Sequence, residues 1–386
     1  MKKAIIAIAS SLALFTVNAQ QNEETLQQTT SWSETLQKAK QQGKLIFVDC
    51  YFTGCHPCAQ MDKEVFPNEQ VRKELNESFV AIKVDVFKEK LGDTINMKYG
   101  ITGFPTFLIL NQQGQLVSMF SGYKDAGLLL NELSAAKKKS SKKNVLTGFA
   151  IGNKIEYEQF YKDYYSREER KSDPVAANAW IKKQNDQTAE PVAMAIFRTG
   201  KLDAEIEMFF LENYNKYLEK YGEALATGKA NTILAAQLDK ATDKKKDEEQ
   251  FRAFLSNKAT LFPKDEWRVL NFLLGYKYYG SIAKDTAGLL NFINEDPLVY
   301  ANYIGALYSS MIVKKQLNES TLPLLCQWAS KAVNEEAAFD MIELAASFCK
   351  RNNDMASYRK FISIAMSKAK KYNVSFERYE KMLAAN

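Results

Sequence analysis

The sequence of 386 residues predicts an α/β domain, with a central mixed sheet between helices, followed by an all-α domain. Three observations carry this prediction. Short continuous apolar runs, typical of strands buried on both faces, occur only in the first third of the chain. A Lys- and Ser-rich stretch, AAKKKSSKKN, then breaks the pattern. Beyond it, apolar residues recur at helical spacing, and no run favours a strand.

The first domain is predicted to alternate helices and strands. Residues 32–40 favour a helix with Ser33 as its cap, and a second helix starts near residue 55 and stops at Pro67. Asn68 is the expected cap of the next helix. The expected strands are residues 44–50, 79–86, 106–110 and 115–120, the last two forming a hairpin, and a closing helix covers residues 124–136.

The second domain, residues 145–386, has the pattern of amphipathic helices with short breaks between them. Residues 203–221 and 339–350 are examples. A turn at residues 352–354 separates the second example from a partner segment with apolar residues at helical spacing. This hairpin resembles a degenerate tetratricopeptide unit, so a helical-repeat arrangement and an ordinary all-α bundle both remain open.

The composition is that of an ordinary globular protein and does not indicate nucleic acid binding. The apolar share of 46% and the charged share of 25% are ordinary for a globular protein. The net charge is +6, and a cluster of lysines lies within residues 137–144, which we interpret as a solvated linker. So short a basic run gives no reason to expect a nucleic acid partner.

Residues 1–19 have the features of a secretory signal peptide, with two lysines before an apolar run at residues 4–17 and a small-residue cleavage site ending at Ala19. Residues 20–30 are polar and are expected to be loose. The apolar run is short for a membrane span, and Gln20 rather than a cysteine stands directly after the cleavage site, so a bacterial lipoprotein is not expected. We therefore expect an exported, periplasmic chain that is not inserted in the membrane, in a compartment where thiols can be oxidised.

The stretch TGCHPCAQM holds two of the five cysteines, Cys55 and Cys58, and the only histidine, His56. Haem attachment requires Cys-x-x-Cys-His, and Ala59 occupies the histidine position. A structural zinc site needs four ligands, and the other cysteines form no second Cys-x-x-Cys motif. A redox-active pair and an inert structural pair remain, and neither needs a metal or another cofactor.

A Cys-x-x-Cys pair at the start of a helix has a physical logic for thiol exchange. Backbone N–H groups and the helix dipole stabilise a thiolate on Cys55, which makes it the expected exposed nucleophile. Cys58 lies one turn deeper and can resolve a mixed disulfide. Pro57 fits the first turn, where a missing N–H costs nothing. His56 can place positive charge near the Cys55 sulfur.

Two motifs around this pair resemble the thioredoxin superfamily. FVDCYFTGCHPC and YGITGFPTFLIL match its active-site and cis-proline signatures and place a thioredoxin-like domain at residues 31–136. The resemblance implies that Asp49 is a buried acid that helps to deprotonate the resolving cysteine. It implies that Pro105 is the cis-proline opposite the disulfide. It also implies that Phe104 and Thr106 frame the substrate-binding edge.

The layout is most similar to the periplasmic thioredoxin-like domains, such as the C-terminal domain of the electron transporter DsbD. This similarity favours reduction or isomerisation of disulfides over oxidation. Gly54 stands where thioredoxins have a tryptophan, and His56 and Pro57 replace Gly-Pro between the cysteines. We expect Gly54 to contact substrates and the two intervening residues to tune the redox potential.

The three other cysteines and one further acid are predicted to have structural roles. Cys50 points to the opposite face of its strand from the neighbouring aspartate, so we expect a buried, inert thiol. Cys326 and Cys349 lie on neighbouring predicted helices, where two buried thiols are favoured over a disulfide. Asp85 ends a strand and is expected to be a surface or turn acid.

These observations predict an exported thiol–disulfide oxidoreductase that exchanges disulfides with protein substrates through Cys55 and Cys58. A membrane electron-transfer protein is a candidate partner. The alternative hypothesis assigns the working role to the all-α domain. That domain would be an interaction or scaffold module, with the thioredoxin-like domain as a sensor or accessory.

Overall fold

The computed structural model describes residues 26–28, 31–152, 156–296 and 318–384. It confirms the fold class: a five-stranded mixed sheet packed with helices is followed by a region in which every described secondary-structure element is a helix. The predicted signal peptide, residues 1–19, lies outside the described residues, as does most of the polar segment at residues 20–30. No helix within the described ranges is long and apolar enough to cross a membrane.

Four of the five strands agree with the predicted strands to within one residue at each end. They are β1 (Gln27–Gln28), β2 (Leu45–Tyr51), β3 (Phe79–Asp85), β4 (Thr106–Leu110) and β5 (Leu116–Ser121). Their order is β1-β3-β2-β4-β5, with β2 parallel to β3 and antiparallel to β4. The short strand β1 pairs with β3 and was not predicted, because two glutamines carry no apolar alternation.

Five α-helices surround the sheet: α1 (Trp32–Gln42), α2 (His56–Gln60), α3 (Glu69–Ser78), α4 (Lys90–Tyr99) and α5 (Ala126–Ser141). A π-helical turn, Met61–Val65, continues α2. Asn68 caps α3 as predicted. Ser31, and not Ser33, caps α1, because its hydroxyl accepts a hydrogen bond from the Glu34 N–H. The helix α5 extends to Ser141, so most of the predicted linker is helical, which lysine and serine permit in the absence of glycine or proline.

The helical region is built from α6 (Gln159–Tyr164), α7 (Pro174–Ile181), α8 (Glu190–Arg198), α9 (Ala204–Glu212), α10 (Tyr214–Tyr221), α11 (Glu223–Ala241), α12 (Glu248–Ala259), α13 (Lys264–Lys277), α14 (Thr286–Glu295), α15 (Leu322–Ala332), α16 (Phe339–Arg351), α17 (Met355–Lys371) and α18 (Glu377–Ala384). The single helix predicted over residues 203–221 is broken at Asn213, whose side-chain amide donates to the Phe209 carbonyl. The predicted hairpin of α16 and α17 is present, whereas a repeat arrangement stays a prediction.

The two faces of the sheet bury different clusters. Ile46, Val48 and Cys50 of β2 join a cluster that continues into the helical region. Leu45 and Phe47 join a second cluster, which α3, α5 and the π-helical turn close. Because side chains alternate along a strand, Asp49 lies on the side of this second cluster.

The helical region packs directly against the thioredoxin-like domain. The Asp125 carboxylate, at the start of α5, accepts a hydrogen bond from the Phe339 N–H at 3.0 Å and pairs with buried Lys368 at 3.0 Å. Gly127 permits this approach, because a Cβ there would lie 2.4 Å from the Tyr372 ring. At a second contact, the buried Lys98 ammonium of α4 donates to the Ala150 carbonyl at 2.6 Å. The two regions therefore share buried polar contacts at two places.

Candidate active site

The two cysteines of the Cys-x-x-Cys motif lie where β2 gives way to α2, and they are joined in a disulfide. Cys55 is the cap of α2, and the Cys58 N–H donates to its sulfur at 3.2 Å. Cys58 is 2% exposed, as predicted for the deeper cysteine. Cys55 is only 5% exposed, so the expectation of an exposed sulfur is wrong for the disulfide form. The residues on either side of it, Gly54 and His56, are exposed.

Gly54 has a backbone reason for being glycine. Its φ of +96° lies in the left-handed region, which residues with a Cβ avoid. A Cβ would meet no atom within 4 Å, so the surrounding space does not require glycine. Whether Gly54 contacts substrates stays a prediction, but the turn into Cys55 requires its conformation.

Asp85 holds the loop that leads into Cys55. Its Oδ2 accepts hydrogen bonds from the Thr53 N–H at 3.1 Å and the Thr53 hydroxyl at 2.7 Å, and its Oδ1 accepts from the Phe87 N–H at 3.0 Å. Asp85 is 3% exposed, so the expectation of a surface acid is wrong, whereas the expectation of a turn acid is confirmed by the bond from the Phe87 N–H, two residues further on. Burial alone would raise its pKa, but the hydrogen bonds from Thr53 and Phe87 outweigh burial and lower the pKa. Asp85 is therefore an ionised anchor for this loop.

Asp49 is 1% exposed, and burial raises its pKa to about 7. The Lys83 ammonium, 3.7 Å from Asp49 Oδ2, opposes this increase, whereas the charge of Asp62 adds to it. Asp49 Oδ1 has no hydrogen-bond partner among the described residues. A buried carboxyl with a pKa near 7 can accept or release a proton at neutral pH.

The segment around Pro105 precedes β4 at the end of the sheet where β2 leads into the cysteine pair. The Phe104–Pro105 peptide bond is cis, as the sequence motif predicted. The Thr106 hydroxyl donates to the Gly103 carbonyl at 2.8 Å, and β4 places Thr106 opposite Cys50 in β2. These contacts fix the start of β4 at the end of the sheet where β2 leads into Cys55.

Three phenylalanines cluster at this end of the sheet. The Phe104 ring centroid lies 5.1 Å from that of Phe52 and 5.5 Å from that of Phe87. Phe52 belongs to the loop before the cysteine pair, since its carbonyl accepts from the Cys55 N–H at 3.1 Å. The structure thus brings Phe104 to the loop that leads into Cys55 through aromatic packing.

The remaining cysteines divide into a free thiol and a second disulfide. Cys50 is buried and free, as predicted, and burial raises its pKa well above the ordinary value. Cys326 and Cys349 form a disulfide between α15 and α16, so the expectation of two thiols is wrong. Asp354 approaches these two sulfurs to give the one group of potential metal ligands among the described residues. Two sulfurs joined in a disulfide are not thiolate ligands.

The sequence matches known proteins through its first domain. The model of the thioredoxin-like domain family matches residues 32–137. A thioredoxin H-type from Fagopyrum esculentum is 33% identical over 98 residues, which are 25% of this chain and 78% of that protein. The chain belongs to the thioredoxin family.

Two further relatives match over a small part of their own length. The thiol:disulfide interchange protein DsbD of Yersinia pestis (strain Pestoides F) is 28% identical over 98 residues, covering 25% of this chain and 16% of that protein. The spermatogenesis-associated protein 20 of Homo sapiens is 40% identical over 52 residues, covering 14% of this chain and 7% of that protein. The chain therefore spans a small fraction of these two relatives.

Sequence reasoning missed the contacts that three charged residues make around the thioredoxin-type site. Lys83 and Asp85 lie on β3, in register with Asp49 and Tyr51 of β2. Asp62 lies one turn beyond the cysteine pair and contacts Lys83 directly. Aligning the two predicted strands as a parallel pair would have revealed the first two residues, because the carboxyl ends of parallel strands meet at one edge of a sheet. No sequence signal indicated the third.

Proposed function

We propose that this protein is an exported thiol–disulfide oxidoreductase that reduces or isomerises disulfides in protein substrates. Cys55 is the nucleophile and Cys58 the resolving cysteine. The observation that carries the proposal is the Cys55–Cys58 disulfide at the start of α2, in the same domain as a buried acid, Asp49, with a pKa of about 7. The sequence features of residues 1–19 support export.

In the first step of the proposed reaction, the Cys55 thiolate of the reduced protein attacks one sulfur of a substrate disulfide. A bond forms between Cys55 and that sulfur while the substrate's own S–S bond breaks. The second substrate sulfur leaves as a thiolate and takes a proton from water. The N–H of Cys58, which points at the Cys55 sulfur in the disulfide form, supports the thiolate before attack.

In the second step, Cys58 gives its thiol proton to Asp49 and attacks the Cys55 sulfur. The Cys55–Cys58 bond forms, the mixed disulfide breaks, and the remaining substrate sulfur leaves as a thiolate. Two electrons have then passed from the protein dithiol to the substrate disulfide. An external dithiol must reduce the protein again, and a membrane electron-transfer protein is the proposed source. Similarity to a thiol:disulfide interchange protein supports disulfide exchange as the chemistry.

Reduction of insulin by dithiothreitol tests the proposal, with the full chain compared with Cys55→Ser. We expect the wild type to accelerate insulin precipitation and the variant to lose at least about a hundredfold of that rate, because the nucleophile is gone. Cys50→Ala is the matched control, since it removes a buried free thiol from the same strand as Asp49. Equal rates for the wild type and Cys55→Ser would refute the proposal.

Trapping would identify the substrates. Cys58→Ser leaves Cys55 able to attack but removes the resolving thiol, so mixed disulfides with substrate proteins should accumulate on Cys55. Separation under non-reducing conditions followed by mass spectrometry would detect them. Their absence from the Cys55→Ser/Cys58→Ser double variant is the control for other cysteines.

A further inference from the structure

Lys83 lies between the buried carboxylate of Asp49 and the exposed carboxylate of Asp62. It sits beside Asp49 in the parallel pairing of β2 and β3. Its ammonium contacts the Asp62 carboxylate directly, whereas its distance to Asp49 Oδ2 is 3.7 Å, which is longer than a hydrogen bond. The side chain of Asp62 is 46% exposed, whereas that of Asp49 is 1% exposed. The exposed acid therefore holds the lysine more closely than the buried acid does.

Asp62 owes this position to the π-helical turn that follows α2. The Phe66 N–H donates to the Met61 carbonyl, five residues earlier, at 3.0 Å. Within the turn Met61 and Val65 point into the core, whereas Asp62 points to solvent and reaches Lys83. The π-helical turn thus places Asp62 within reach of a lysine on β3.

We propose that Asp62 competes with Asp49 for the ammonium group of Lys83 and so sets the pH at which Asp49 takes the proton of Cys58. Every additional contact of Lys83 with Asp62 leaves Asp49 with less positive charge nearby. The inference deepens the proposed function and rests on it.

The electrostatic surroundings of Asp49 agree with this competition. Burial favours the neutral acid, Lys83 favours the carboxylate, and the negative charge of Asp62 favours the neutral acid again. The other titratable groups that Asp49 affects are the Cys50 thiol and the Tyr51 hydroxyl on its own strand. The Lys83 ammonium also lies 4.6 Å from the Tyr51 ring centroid, which limits where it can move.

Carboxyl carbon NMR of Asp49 in the oxidised full chain tests the competition without any activity measurement. In Asp62→Asn the repulsive charge is lost and Lys83 is released, so we expect the titration midpoint of Asp49 to move about one pH unit lower. Glu64→Gln is the matched control. Glu64 lies in the same π-helical turn, but its contacts are with Gln60 and Tyr123, so the midpoint should not move. An unchanged midpoint in Asp62→Asn, or an equal shift in Glu64→Gln, would overturn the inference.

A double-variant comparison separates competition for the lysine from direct repulsion between the two acids. In a Lys83→Met background there is no ammonium to release, so Asp62→Asn should shift the Asp49 midpoint by less than half as much as in the wild type. An equal shift in both backgrounds would mean that repulsion alone acts, which would contradict competition.

The pH dependence of insulin reduction connects the titration to function. We expect the acidic limb of the rate profile of Asp62→Asn to move to lower pH together with the Asp49 midpoint. An inactive wild type would refute the proposed function and leave the NMR result standing. A shifted midpoint with an unshifted rate profile in an active protein would refute the assigned role of the competition.

Discussion

The chain holds two disulfides in regions of different architecture, and the burial of their sulfurs does not distinguish them. Cys55 and Cys58 are 5% and 2% exposed, whereas Cys326 and Cys349 are 2% and 0% exposed. The first pair is separated by three positions at the end of a strand, and the second by 23 positions across two helices. What differs is the chain around each pair. Both residues that flank Cys55 are exposed, whereas each cysteine of the second pair has one neighbour buried in the helical core, Leu325 or Phe348.

The acids near the two disulfides differ in the direction of their pKa shifts. Asp49 is buried on the strand that leads to the first pair, and burial raises its pKa to about 7. Asp354 lies 3.6 Å from the Cys326 sulfur, and hydrogen bonds from the side chain and N–H of Ser357 lower its pKa. Of these two acids, only Asp49 therefore has a pKa that suits proton transfer near neutral pH. A redox-active pair is thus marked by its neighbours rather than by the exposure of its own sulfurs.

The largest expected difference between the two regions is the rate at which dithiothreitol reduces them. We expect Cys55–Cys58 to react roughly a thousandfold faster than Cys326–Cys349, because attack on the second disulfide requires local opening of packed helices. Alkylation at timed intervals and mass spectrometry of the labelled peptides would measure both rates. The rates should converge in concentrated urea, and similar rates in native buffer would remove the distinction.

The second prediction concerns the acid of the first region. The pKa of Asp49, about 7, lies above its ordinary value of 3.8, so the folded protein binds this proton more tightly than the unfolded chain does. The contribution of Asp49 is fully present below about pH 4 and is lost as the pH rises through about 7. Asparagine cannot ionise, so Asp49→Asn avoids this loss of stability. The variant should be more stable than the wild type by about 4 kcal/mol well above pH 7, and equally stable below about pH 4.

Urea unfolding of the wild type and Asp49→Asn at about pH 4 and about pH 9 would measure this difference. Other groups titrate in both proteins, so the difference between the two curves isolates Asp49. Asp354→Asn is the comparison from the second region. The pKa of Asp354 is lowered, so its variant should give no stabilisation at high pH. A constant difference between wild type and Asp49→Asn at both pH values would contradict the assignment.

The parts of the site that the sequence predicted depend on local patterns. Cys55, Cys58 and the cis bond before Pro105 belong to short motifs, and the helix cap at Asn68 is a single-residue preference. The strand at residues 106–110 was predicted at its observed bounds because a continuous apolar run has clear ends.

The parts that were missed depend on how distant segments pair. The contacts of Lys83 with Asp49 and Asp62 require the register of two strands and the path of a π-helical turn. The disulfide between Cys326 and Cys349 requires the distance between two helices, which periodicity alone does not supply. Such contacts are set by tertiary packing, so a single sequence leaves them open.

The third prediction concerns the stability that the second disulfide supplies. Cys326→Ala/Cys349→Ala should lower the free energy of unfolding by about 3 kcal/mol, because the lost bond closes a loop of 23 positions in the unfolded chain. Insulin reduction by this variant should stay at the wild-type rate. Cys55→Ala/Cys58→Ala removes a disulfide that closes a much shorter loop. The loss of stability should therefore be smaller, and the loss of insulin reduction should be complete. A loss of insulin reduction in the first variant would give the second disulfide a redox role.

The smallest expected effect comes from one hydroxyl beside the redox pair. Thr53→Val removes the 2.7 Å hydrogen bond to Asp85 but keeps the backbone N–H, and should cost about 1 kcal/mol of stability. Thr188→Val is a matched control in the helical region, because the Thr188 hydroxyl donates to Asp186 at 2.8 Å. Thr188→Val should lose at least as much stability as Thr53→Val, because the Thr188 hydroxyl also accepts from the Lys220 ammonium at 2.9 Å. Only Thr53→Val should slow alkylation of reduced Cys55, by a few fold, since of the two hydroxyl bonds only the one from Thr53 lies in the loop that leads into Cys55. Equal alkylation rates in the two variants would mean that the loop keeps its position without the hydroxyl, and that the remaining bonds to Asp85 suffice.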